Sequence, residues 1–436
     1  MIMKDYFDEM YEAVKGLINI NSVEGTPEPD APFGKGPKKA LEYSLALAEK
    51  MGFRVKNIDN TVGWAEIGEG ELFGILAHVD TVPLLDGWKA DPLSADIVDG
   101  EIIGRGIVDD KGPFILSLYA VKSILDEGKV PSKRIRFIIG TNEESGWACM
   151  DRYLLTEEIP VLAISPDGDF PVINCEKGVA HLEMSLPCPD CITELVSGDR
   201  VNMVPDKAYC KLSCISDVAI TYALHHGVKL KKDGEYWIAE AEGKSAHGST
   251  PWLGDNALLK ILNTIASLDE TLNALACGFA SDDGSKCNIG LVDDVSGKLS
   301  MNVGYAKKQD DKLLIGLDIR FPITFTHQQI VDRLKEHFDF ASFTMEGAHN
   351  VLYFAEDDPF VQVLLNAYKE VTGQTDARPM TIGGATYARA LPRALAFGPC
   401  FPDKDNLCHH VNERMSVQDF VDTFKIYRIA FEKLCF

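Results

Sequence analysis

The sequence predicts an α/β fold: a mixed, mostly parallel sheet covered by helices, with an α+β domain inserted into the chain. Three observations carry this. Three apolar runs of strand length, "LFGILAHVD", "IRFIIGTNEE" and "VLAISPD", each end at once in acidic or imidazole side chains. Between the first two lies "GRGIVDDKGPFILSLYAVKSILDEG", a loop and then a helix ending at Gly128; apolar strands alternating with helices imply a parallel or mixed sheet covered on both faces. Beyond "INCEKG" the texture changes to polar, alternating strands such as "GEYWIAEAEGKSAHG". At 436 residues the chain exceeds what one core usually supports, so two domains are expected. We assign residues 1–178 and 351–436 to one domain in two parts and residues 179–350 to the insert.

The elements follow in order. Phe7, Met10, Tyr11, Val14, Leu17 and Ile18 recur at the helical period. A Gly- and Pro-rich loop, "NSVEGTPEPDAPFGKGPKK", precedes a second helix over residues 38–51 and the short strands "FRVKNID" and "VGWAEIG". In the insert, "NALLKILNTIASL" reads as a helix. At "EDDPFVQVLLNAYKEVTG" the start and stop signals are Asp358 as N-cap, Pro359 at the first position and Gly373 just past the end. The final helix opens with "SVQD", a capping pattern at Ser416 and Asp419.

Composition narrows the function. Hydrophobic content of 46% and charged content of 25% match an ordinary globular protein. The formal net charge of -23 argues against a nucleic-acid partner, because a phosphate backbone would be repelled. The N-terminal "MIMKDYFDEMYEAVKGL" carries acids where a signal peptide has a basic region, and no apolar run is long enough for a membrane span; a cytoplasmic protein with no membrane partner is expected. Eleven cysteines, an odd number in a long chain, suggest reduced thiols. Cys188, Cys191, Cys210 and Cys214 cluster in sequence, but the spacing is only loosely that of a zinc site, and we read them as core and turn residues.

Ligands of such sheets gather at the carboxyl ends of the strands. That places His78, Asp80, Glu143, Glu144 and Asp167 on one rim, with Asp109 in the loop before the helix. Divalent metals need O and N donors converging from separate parts of the chain, and paired metals usually share a bridging carboxylate. His78 can ligate an ion while Asp80, two residues on along a strand, orients its ring. Side chains of neighbouring strand residues diverge, so one of Glu143 and Glu144 can face a metal and the other a water. Alone, HxD also fits a salt-bridged strand end, and EE a pair of solvated acids.

The set "HVD", "GRGIVDDKGP", "GTNEESG", "SPDGDFP", "NMVP", "GKSAHGSTP", "LDIRFP", "GGATYAR" and "HHVNE" resembles the co-catalytic metallopeptidases of the aminoacylase and carboxypeptidase clan. Within the clan, "RGIVDDKGP", "GTNEESGW" and "NMVP" are most similar to Xaa-His dipeptidases of the PepV and carnosinase kind. The resemblance implies two divalent metal ions per chain, zinc first, with manganese or cobalt as alternatives. It implies His78 and Asp167 on one ion, Glu144 and His409 on the other, and Asp109 bridging them before a cis peptide bond. His409 is taken over His410 because the family's ligand stands three residues before Asn412. Asp80 would orient His78, and Glu143 would be the general base.

In the insert, which the resemblance makes a lid, His247 would stabilise the oxyanion, and Asn202 and Arg320 would bind the substrate's carbonyl and terminal carboxylate. Gly383 and Gly384 would lie along the substrate, with Ala385 where the branch more usually has a third Gly. The expected activity is hydrolysis of short peptides by a dipeptidase. The rivals are a deacylase of N-acyl amino acids or a succinylated diamine, and a non-catalytic binding protein on the same fold. The insert is long enough for two packed halves, and the resemblance to the PepV-like branch, in which such an enlarged lid supplies within one chain what dimeric relatives obtain from a partner, implies a monomer.

Overall fold

The computed structural model describes residues 2–436. The chain divides into two compact units. One comprises residues 1–174, 354–380 and 386–436, and the other residues 175–353 and 381–385. The second unit thus differs from the expected 179–350 chiefly in the short piece carrying Gly383 and Gly384. That piece is held there by hydrogen bonds: Lys177 N donates to the Ile382 carbonyl, and the Arg320 guanidinium donates to the Gly383 carbonyl.

In the first unit the mixed sheet has parallel strands at its centre. Leu72–His78 lies between Arg134–Gly140 and Leu162–Ser165, parallel to both, and Ala394–Ala396 extends the parallel set beyond Leu162–Ser165. Antiparallel strands Val62–Ile67 and Arg54–Ile58 complete one side. Every residue of Leu72–His78 is buried, which is why that run is continuously apolar instead of alternating. The helix Lys111–Asp126 is buried almost all round; it packs against Ile2–Ile18 and Val417–Cys435, and the latter also packs against Pro359–Thr372. The caps fall where the sequence puts them: Asp358 accepts from Phe360 N, Ser416 from Asp419 N, and Gly373 adopts the left-handed conformation at φ 71°.

Register brings the rim together. His78 pairs with Gly140 and Ile75 with Ile164, so the three strands end at nearly one level. The acids, however, lie outside the strands. Leu72–His78 stops at the histidine, and Arg134–Gly140 stops three residues short of Glu143. Strand alternation therefore does not aim Asp80 or the Glu143–Glu144 pair; turns do. Gly140 is required for close approach, since a Cβ there would stand 2.1 Å from the Tyr387 hydroxyl.

The second unit is built on an eight-stranded antiparallel sheet. Lys229–Asp233, Tyr236–Glu242, Lys207–Leu212 and Ile192–Ser197 form one half; Ser300–Gln309, Lys312–Phe321, Gly178–Pro187 and Ser342–His349 form the other. The strand pairing that joins the halves is short, Val196 with Lys307 and Ser197 with Ala306. Helix Ala257–Ile265 packs on the first half and His327–His337 on the second. Cys191 and Cys210 are buried in this unit's core, Cys188 packs at its edge and Cys214 is exposed. Among the described residues, no helix is long and apolar enough to cross a membrane.

Candidate metal centre

Asp109 is the hub of the rim. Its Oδ1 lies 2.9 Å from His78 Nε2 and its Oδ2 lies 3.0 Å from His409 Nε2. Each imidazole has a further carboxylate: Asp167 Oδ2 stands 3.8 Å from His78 Nε2, and Glu144 Oε2 stands 3.1 Å from His409 Nε2. Suitable donor atoms of His78, Asp109 and Glu144 lie within 4.8 Å of one another. The five residues thus form two lobes sharing one carboxylate. The peptide bond between Asp109 and Asp110 is cis.

The turns that aim these groups are themselves held by buried carboxylates. Asp80, 1% exposed, accepts from Glu143 N at 3.1 Å and from Glu144 N at 3.0 Å, one oxygen each. His78 Nδ1 is nearer the Asp80 carbonyl, at 3.2 Å, than its carboxylate, at 3.5 Å. Asp80 therefore does more than the sequence suggests, because it fixes the acid pair as well as facing the ring. Asp110 accepts the His78 backbone N–H at 3.1 Å, so the two acids of "DDKG" face different partners.

Sequence reasoning missed Glu413. Fully buried, it accepts from the backbone N–H groups of Gly106, Val108 and Asp109 at 3.0, 2.8 and 3.2 Å and from Arg105 Nη1 at 2.8 Å. It ties the loop that presents Asp109 to the segment that presents His409. The only signal was its place in "HHVNE". Trp147 and Tyr387 were also missed: Trp147 Nε1 donates to Glu143 Oε1 at 2.9 Å, and Tyr387 stands edge-on to both the His78 and Trp147 rings. His410 is exposed.

Electrostatics fit this donor set to cations. Burial, opposed by His78 and reinforced by Glu144, Asp109 and Asp80, pushes Glu143 up to about 7. Burial likewise raises Glu144 and Asp167, with Asp109 adding repulsion to both. Asp109, although buried, is held below the usual carboxylate range by His409 and His78. The site therefore concentrates more buried negative charge than two imidazoles offset, and its donors are the N and O types that divalent ions take.

In the second unit, Ser249 N donates to His247 Nδ1 at 3.2 Å. Nδ1 is thus the acceptor, and in the neutral ring Nε2 carries the proton. The Asn202 carbonyl accepts from Gly248 N at 2.7 Å, tying "NMVP" to the histidine's turn. Arg320 is 4% exposed.

The model of Peptidase family M20/M25/M40 matches residues 74–433. The chain belongs to that family. A protein of Staphylococcus saprophyticus named "Putative dipeptidase" is 38% identical to this peptidase, with 99% of this chain and 98% of the relative covered. Two solved structures share the fold: the dipeptidase Dug1p from Saccharomyces cerevisiae, with a TM-score of 0.58, 15% identity and 99% and 97% of the two chains covered, and human carnosine dipeptidase 1, with a TM-score of 0.54, 16% identity and 98% and 97% covered.

Replacing Glu413 would strand a buried guanidinium and three backbone donors. Glu413→Ala is expected to lose about 3–5 kcal/mol of stability, the range for breaking a buried ion pair; urea unfolding followed by circular dichroism measures it. A loss below about 1 kcal/mol would show that water replaces the carboxylate.

Proposed function

We propose that this peptidase is a dipeptidase whose centre holds two divalent ions, zinc first, with manganese or cobalt as alternatives. His78 and Asp167 would hold one, Glu144 and His409 the other, and Asp109 would bridge. The observation that supports this most is that the two oxygens of Asp109 face imidazoles 331 positions apart in the chain, each with its own second carboxylate. The name of the 38% identical relative supports the dipeptide substrate. Bound ions of this kind supply Lewis acidity to the scissile carbonyl and acidify water.

Glu143 takes the proton from the attacking water and returns it to the leaving amine. Trp147 donates to its Oε1, which keeps the side chain oriented and leaves Oε2 for the proton. Asp80 holds the backbone of that turn and faces the His78 ring. His247, with its proton on Nε2, donates to the developing oxyanion. Asn202 binds the substrate carbonyl, Arg320 pairs with its terminal carboxylate, and Gly383 and Gly384 border the bound peptide. Closure of the lid would exclude water during the reaction.

The purified enzyme is expected to hydrolyse dipeptides in preference to N-acetyl amino acids; the reverse order would make it a deacylase, and no hydrolysis of either a binding protein. Glu143→Gln should reduce turnover by at least about 10²-fold while metal analysis finds the ions retained. Should that variant lose metal while Glu144→Gln keeps it, the two roles are exchanged.

The protein is further proposed to work as a monomer in the cytoplasm, with His247 serving its own chain. A mixture of His247→Ala and Glu143→Gln proteins should then remain as inactive as each alone. Recovery of activity on mixing would mean that the site is shared between chains.

A further inference from the structure

Three of the groups assigned to substrate meet around a single buried carboxylate in the second unit. Asp318, fully buried, lies two residues before Arg320 on Lys312–Phe321, so the two side chains share one face of the sheet. Arg320 Nε donates to Asp318 Oδ1 at 2.7 Å and Nη2 donates to Oδ2 at 2.9 Å. Nη1 donates to the Gly383 carbonyl at 3.2 Å. Across the strands, His181 and Asn302 stand directly opposite Asp318 on either side, with His181 Nε2 3.4 Å from Oδ1. Asn302 Nδ2 donates to the carbonyls of Val201 and Met203 at 2.8 and 2.9 Å, and so holds the loop on both sides of Asn202. A Cβ on Gly248, next to His247, would come within 2.4 Å of Asp318 Oδ2. The turn of "SAHG" therefore lies directly against this carboxylate.

The geometry of the guanidinium gives the arrangement its chemistry. An arginine has five N–H donors in a rigid fork. Asp318 takes the side edge, one N–H from Nε and one from Nη2, and Gly383 takes one from Nη1. One N–H on Nη1 and one on Nη2 stay uncommitted among the described residues of this unit; with Gly383 on the Nη1 hydrogen of the Cδ side, they form the end edge that matches the two oxygens of a carboxylate. Although burial raises Asp318, His181 and Arg320 hold it below the usual carboxylate range, so the clamp on Arg320 is a charged one.

We propose that Asp318 is the positioning residue that fixes which edge of Arg320 is presented, and thereby makes the enzyme selective for substrates ending in a free carboxylate. This rests on the role given to Arg320 under the proposed function. Asp318 itself touches no substrate; it turns a mobile side chain into a preset fork, so less ordering is left for the moment of binding.

The test compares a dipeptide with its C-terminal amide in wild type and in Asp318→Asn, an isosteric change that replaces one acceptor with a donor facing the guanidinium. Wild type is expected to favour the free acid, and the variant to lose at least about tenfold of that preference, through a raised KM for the acid. Its kcat/KM for the amide should fall by clearly less than its kcat/KM for the acid, so that the preference, and not only the rate, changes. Equal losses on both substrates, with the preference intact, would overturn the proposal and leave Asp318 a purely structural residue. A wild type that cleaves acid and amide alike would overturn it at the Arg320 step, and a wild type that cleaves neither would place the failure in the dipeptidase reading itself. If Asp318→Asn lacks a native circular dichroism spectrum, Asp318→Glu, which keeps the charge but displaces it by one methylene, must show the same loss of preference; unchanged preference in that variant overturns the proposal.

Discussion

Everything in the first unit depends on holding one carboxylate, that of Asp109, between two imidazoles that the chain delivers from opposite ends of the domain. Burying several acids within a few ångströms is costly unless each has a partner. Here the partners are arranged in tiers. Asp109 faces His78 and His409, while Glu413 fixes the Asp109 loop through three backbone N–H groups. Asp80 does the same for the turn of Glu143 and Glu144. Parallel strands ending at nearly one level provide the platform, and carboxylates bound to backbone N–H groups set the angles of those that gather around Asp109.

The second unit repeats the device with different parts. Asp318 clamps Arg320, backs the turn of His247 and neighbours the asparagine that holds the loop of Asn202. In both units a buried acid accepts from donors that would otherwise be free to rotate. The reactive or binding groups then lose little further freedom in use, which is the advantage of preorganisation.

How much of this could be read from the sequence follows from range. The central strands were legible because a strand buried on both faces must be apolar throughout, and the rim residues because acids and imidazoles at the ends of such runs stand out. The helix ends at Asp358, Gly373 and Ser416 were legible because capping is local. The aim of Glu143 and Glu144 was not: strand alternation was the obvious local rule, but the strand stops at Gly140 and a turn bound to Asp80 takes over. Glu413 and Asp318 stayed hidden for a related reason. The partners of Glu413 lie some 300 residues away, and although Arg320 is only two residues from Asp318, the facing His181 comes from a separate strand; spacing along the chain carries no trace of such distant contacts. The transfer of Gly383 and Gly384 to the second unit was equally illegible, since it rests on hydrogen bonds from Lys177 and Arg320.

The central claim, that Asp109 is shared by two ions, is tested most directly by counting metal. Purified wild-type protein, Asp109→Asn and Asp110→Asn would each be loaded with zinc, dialysed and analysed for zinc per chain, with folding checked by circular dichroism. Asn at position 110 keeps an acceptor for the His78 backbone N–H, so that variant isolates charge from structure. The account predicts about two ions per chain in wild type and in Asp110→Asn, and loss of both from Asp109→Asn. Full occupancy in Asp109→Asn, or loss from Asp110→Asn in its place, would contradict it.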